Sequence, residues 1–142
     1  MQFLDDSLHP ENMEKVVITV APYGPEWMPE DFPEDIPLTM DEQVQKAVDC
    51  YEAGATVLHL HVRELDGKGS KRLSKFNELI AGVREAVPDM IIQVGGSLSF
   101  APESDGEAAK WLSDDTRHML AELTPKPDQV TVAINTTQMN IM

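Results

Sequence analysis

Residues 53–67, AGATVLHLHVRELDG, place two histidines one residue apart inside an otherwise apolar run. Leu58, Leu60 and Val62 alternate with His59 and His61, and alternation with period two is the pattern of a β-strand. Side chains two apart project to the same side and lie roughly 6.6 Å apart along the strand, so both imidazoles share one face. The apolar trio faces the other way, where a covering helix would bury it. Two readings fit the pair: neutral imidazoles converging on one divalent metal, zinc by preference, or core histidines satisfied by hydrogen bonds.

Working outward from this strand, the chain repeats strand then helix. Upstream, KVVITVA (15–21) is a continuous β-branched run of the kind found in parallel, doubly covered strands. It ends in PYGPEWMPEDFPEDIP (22–37), whose five prolines demand a long loop. A capping box, Thr39 with Glu42, opens a helix that stops at Gly54. Downstream of the histidines, a polar loop leads to an amphipathic helix over 73–87, with Leu79, Val83 and Val87 on one stripe and Pro88 closing it. A strand MIIQV (90–94) ends in Gly95-Gly96-Ser97, a helical region is expected over about 107–123, and a last strand is QVTVAI (129–134). Parallel βαβ units with right-handed crossovers follow. They suit either a small open sheet or part of a (β/α)8 barrel. Four units in about 130 residues is half of the usual barrel length, and the sequence ends soon after a strand. The expectation is therefore an extension over 1–14 and the N-terminal half of a TIM-type barrel over 15–142.

Composition limits the partners. The chain has 142 residues and a net charge of −14, which disfavours non-specific contact with nucleic acid or an anionic membrane. No run approaches the roughly 18 apolar residues of a membrane helix, and the acidic N-terminus does not read as a secretory signal, so a soluble, cytoplasmic protein is expected. One local exception to the acidity exists: Arg63, Lys68, Lys71, Arg72 and Lys75 fall within thirteen positions. They are either a solvated surface or a site for an anionic ligand. The lone Cys50 lies in a predicted helix and reads as structural.

Taken together, ITVAPYGPE, PLTMDEQ, EAGATVLHLHVRELDGKGSKR, IIQVGGS and KPDQVTVAINTTQMN resemble the β-keto acid cleavage enzymes, of the 3-keto-5-aminohexanoate cleavage type, from Lys15 onward. The resemblance implies a zinc-dependent (β/α)8 barrel that reacts a β-keto acid with acetyl-CoA to give acetoacetate and a new CoA thioester. It implies His59 and His61 as metal ligands, with zinc polarising the keto group. Glu26 would sit at the substrate's amino end. Gly95, Gly96, Ser97 and Asn135 would line the substrate site at the strand ends, and Arg63, Lys71 and Arg72 are candidates for the phosphates of CoA. A metal-dependent hydrolase barrel and a non-catalytic half-barrel remnant are the alternative readings.

Two departures from the family pattern stand out. Val94-Gly95-Gly96-Ser97 replaces its Ser/Thr-Thr-Gly-Gly, and Asn135-Thr136-Thr137-Gln138 replaces Asn-x-Gly. The family's third zinc ligand, a carboxylate, and its Asp/Arg pair belong to later strands, so no catalytic residue is assigned in this half. Alone, the chain is expected to be inactive and to associate, with a second copy or with a C-terminal half, to cover its apolar surface.

Overall fold

The structure is a computed structural model that describes residues 16–24, 27–95 and 119–131. Four strands, β1 (Thr19–Val20), β2 (Val57–Leu60), β3 (Ile91–Gly95) and β4 (Gln129–Thr131), form one parallel sheet in the order β1-β2-β3-β4. Helices α1 (Met40–Glu52) and α2 (Leu73–Ala86) connect the first three strands. The α/β class and the parallel pairing agree with the sequence reading. The extension over 1–14, the segment 107–118 and the second half of the last predicted strand, 132–134, lie outside the described residues.

The capping box forms as expected. Thr39 Oγ1 accepts from Glu42 N at 3.2 Å, and Glu42 Oε2 accepts from Thr39 N at 2.9 Å and from Leu38 N at 3.0 Å. These bonds satisfy donors that a helix start leaves without partners, and they hold the Glu42 carboxyl below its ordinary pKa. At the other end, Gly54 takes φ +103°, the left-handed geometry that closes α1 before β2 begins.

Both helices lie on one face of the sheet. Leu58, Leu60, Val62, Ile92 and Val94 meet Phe76, Leu79, Ile80 and Val83 of α2 and Ala47 of α1, all buried in one cluster. The other face carries a different row, set by the register: His59 pairs with Gln93, and Gln93 with Gln129. Strand β1 is shorter than the run over 15–21 suggested. Val16 and Val17 are 71% and 70% exposed, because the ladder with β2 covers only Thr19 and Val20. The strand through the histidines also ends early, at Leu60. Beyond it the backbone pairs with its own returning loop instead: Ser70 N donates to Val62 O at 2.7 Å, and Arg63 bridges to Gly69. Among the described residues, no helix is long and apolar enough to cross a membrane.

Asp128 joins three elements. One oxygen, Oδ2, accepts from Ile92 N at 2.7 Å and from Arg84 Nη2, on α2, at 2.7 Å. Burial pushes the Asp128 carboxyl up, but those donors outweigh it, and its pKa ends below the ordinary value. Its contribution to stability is therefore complete above the unfolded carboxylate range and is lost as pH falls through the lowered folded value. Replacing Asp128 with Asn should flatten the stability profile below about pH 4 in urea titrations.

Two glycines test the loop packing. A Cβ on Gly54 would meet nothing within 4 Å, whereas one on Gly67, at φ +84°, would sit 2.5 Å from Pro29 Cγ and 2.6 Å from Pro29 Cδ. Gly54→Ala should cost about 1–2 kcal/mol, for left-handed backbone alone. Gly67→Ala should cost a further 1–3 kcal/mol or so, from overpacking, read as a lower urea midpoint.

Candidate active site

The two histidines sit at the C-terminal end of β2 with ring centroids 5.0 Å apart and planes at 76°. Each has its Nδ1 against a carbonyl oxygen. His59 Nδ1 is 2.8 Å from Gln93 Oε1, and His61 Nδ1 is 3.3 Å from Pro22 O. A carbonyl oxygen can only accept, so each Nδ1 donates, and in the neutral ring the lone pair then lies on Nε2. That is the arrangement in which imidazoles serve as metal ligands through Nε2, with the opposite nitrogen held by a carbonyl. The donor chemistry therefore fits a divalent metal, and it fits equally the second sequence reading, histidines satisfied by hydrogen bonds. Among the described residues, no group of three or more His, Cys, Asp or Glu side chains comes together to complete such a site.

The loop after β1 is tied to β2 by its own backbone. Pro22 O faces His61, and the next two carbonyls, of Tyr23 and Gly24, accept from Arg63 Nη2 at 3.2 and 2.7 Å. Arg63 Nη1 donates to Gly67 O in its own loop. One guanidinium thus fastens the loops that follow two neighbouring strands, with its fork of donors matched to carbonyls pointing different ways. Tyr23, at φ +23°, is held in this unusual backbone by Arg63, by its ring against Phe32 at 5.2 Å and by its hydroxyl donating to Asp35 Oδ2 at 3.1 Å. Gln43, at the start of α1, completes the frame: its Nε2 donates to Leu38 O, and its Oε1 accepts from Arg63 N at 3.1 Å.

Beside His61 lies an open concavity of about 480 Å³, lined by Ala21, Pro22, Tyr23, Gly24 and Trp27 as well as the histidine. It is large enough to receive a small-molecule ligand. Gly95 lies against His59 on the neighbouring strand, where a Cβ would come into ordinary contact with the imidazole, 3.9 Å from Cε1 and Nε2. Glu26, Gly96, Ser97 and Asn135 lie outside the described residues.

The basic run behaves differently from a uniform patch. Arg63, expected to turn outward to phosphates, is 4% exposed and directs its guanidinium at three carbonyls. Arg72 Nε pairs with Glu64 Oε1 at 2.9 Å, Lys68 with Asp66 at 3.4 Å and Lys75 with Glu78 at 3.6 Å. Lys71 is half-buried, and burial lowers its pKa. Cys50 is half-buried in α1, and its thiol is pushed up, chiefly by that burial, as suits a structural residue. Sequence reasoning did not select Gln93, Gln129 or Gln43. The first two carried a signal, since each is a polar residue in or at the start of an apolar strand, and aligning the strands by register would have placed Gln93 beside His59 and Gln129 beside Gln93.

The sequence profile of the family described as beta-keto acid cleavage enzyme matches residues 15–142. The chain belongs to that family. The 3-keto-5-aminohexanoate cleavage enzyme of Acetoanaerobium sticklandii is 42% identical over 93 residues, which is 64% of this chain and 34% of that protein. Its namesake in Fusobacterium nucleatum is 42% identical over 90 residues, 62% of this chain and 33% of its own length. The 3-oxoadipate:acetyl-CoA acetyltransferase of Cupriavidus necator is 34% identical over 94 residues, 58% of this chain and 33% of its own. In each case the chain spans about a third of the curated relative.

In this family member, the Arg63 brace makes a direct prediction. Arg63→Ala removes the guanidinium donors from the carbonyls of Tyr23, Gly24 and Gly67, of which Gly24 O keeps Trp27 N, and should cost about 2–4 kcal/mol in denaturant titration. Arg63→Lys should recover only part of that, because a single ammonium cannot replace the guanidinium fork.

Proposed function

We propose that this chain carries the metal-binding face of a β-keto acid cleavage enzyme that exchanges an acyl group between a β-keto acid and acetyl-CoA, giving acetoacetate and a CoA thioester. The observation that carries the reading is the matched arrangement of His59 and His61, each with Nδ1 against a carbonyl oxygen, which in the neutral ring leaves the lone pair on Nε2. Family membership and the printed activities of the relatives agree with it. Four parallel strands with helices on one face are consistent with the first units of a (β/α)8 barrel, in which the histidine face is the interior and the strand C-termini form the mouth.

His59 and His61 would hold zinc through Nε2. Bound there, zinc supplies Lewis-acid polarisation of a keto oxygen. The chain's own residues do the rest: Gly95 leaves room for substrate beside His59, and the concavity walled by Tyr23 and Trp27 receives its distal part. Glu26 at the substrate's amino end, and Gly96, Ser97 and Asn135 at the mouth, complete the proposed substrate contacts. Lys71 and Arg72 are the proposed contacts for CoA phosphates, since Arg63 is committed to the loops. The remaining ligands and the proton-transfer groups would come from outside the described residues. Association with a second copy or with a C-terminal half belongs to the same proposal.

Purified protein should bind about one zinc per chain, and His59→Ala with His61→Ala should abolish that binding. Acetoacetate should form from acetyl-CoA and a suitable β-keto acid in the full-length protein and disappear in the double variant. Zinc content unchanged by the double replacement would sink the metal assignment, and acetoacetate formation unchanged by it would sink the mechanism.

A further inference from the structure

The row facing the site does not stop at His59. Gln93, directly opposite it in the ladder, accepts from His59 Nδ1 through Oε1 and donates through Nε2 to Gln129 Oε1 at 2.8 Å. Three residues on three adjacent strands thus form one polarised chain, imidazole to amide to amide. An amide presents a carbonyl at one end and an NH2 at the other, so its two partners are not independent. If Gln129 offers an oxygen to Gln93, then Gln93 must turn its own oxygen to His59, and the His59 proton must sit on Nδ1. Reversing the chain would put NH2 against His59, place the lone pair on Nδ1 and leave a proton on the Nε2 that a metal would need.

We infer that Gln93, oriented by Gln129, is a positioning residue that sets the tautomer and ring orientation of His59. His61 is held by a separate device, the Pro22 carbonyl on the loop after β1, and so provides an internal control. The consequence for metal binding rests on the function proposed above, whereas the tautomer itself does not.

Long-range 1H–15N correlation spectra of the imidazole rings, recorded on metal-free protein above the ordinary imidazole titration range, read the tautomers directly. His59 and His61 signals are assigned from the single alanine variants. In the wild type, both rings should carry their proton on Nδ1. Gln93→Leu removes the acceptor at similar volume and should move His59 toward the Nε2–H form while His61 stays unchanged. Gln93→Glu restores an acceptor and should keep His59 as in the wild type. Zinc affinity should fall about 10- to 100-fold in Gln93→Leu, as for other lost partners behind a ligating histidine, and should recover in Gln93→Glu. A wild-type His59 protonated on Nε2, or one whose tautomer ignores Gln93→Leu, would overturn the inference. If His59 changes tautomer as expected but zinc affinity does not respond even to His59→Ala, the positioning role of Gln93 stands and the metal reading falls.

Discussion

Because side chains alternate along a strand, Leu58, Leu60 and Val62 can lie under the helices only if His59 and His61 are presented together on the opposite side. The placement of the pair follows from that constraint. The apolar trio is 3–4% exposed and anchors β2 at the centre of the sheet, between β1 and β3. Shifting the register of β2 by one residue would bury imidazoles among Phe76, Leu79 and Ile80 and expose three aliphatic side chains. The hydrophobic effect thus enforces the placement of the polar pair, though it makes no contact with it.

Alternation places the rings but does not orient them. Orientation comes from hydrogen-bond acceptors on neighbouring elements, a side-chain amide on β3 for His59 and a backbone carbonyl after β1 for His61. The second arrangement depends in turn on Arg63, which draws the next two carbonyls of the same loop toward β2. A buried guanidinium is tolerable when its donors are matched, and here they meet the carbonyls of Tyr23, Gly24 and Gly67. In a chain of net charge −14, this cation stabilises the frame and is not presented to solvent.

The same economy runs through the rest of the basic run. Arg72, Lys68 and Lys75 each face a carboxylate close by in the sequence, and Arg72 shares Glu64 Oε1 with the Ser70 hydroxyl. This network shapes the loop between β2 and α2, whose turn passes so close to Pro29 that only glycine fits at position 67. Exposed ion pairs add little to stability, but a short, partly buried pair with a third partner defines a loop geometry. The two loops bordering the concavity are therefore fixed against each other from beneath.

How much of this was legible in the residues depends on the range of the forces involved. Period-two alternation at 57–62, the Thr39–Glu42 capping box and the stop at Gly54 are local, and the sequence alone determined β2, α1, the parallel α/β class and the shared face of His59 and His61. The β-branched run over 15–21 promised a longer buried strand than Thr19–Val20, because strand length depends on how far a neighbour's ladder extends. The inward turn of Arg63 was hidden for a similar reason: two of its three acceptors are carbonyls about forty positions away, and every residue type has a carbonyl. Gln93 and Gln129 were visible as polar residues in apolar company, yet only the register between strands, a non-local property of backbone pairing, decided that Gln93 stands beside His59 and Gln129 beside Gln93.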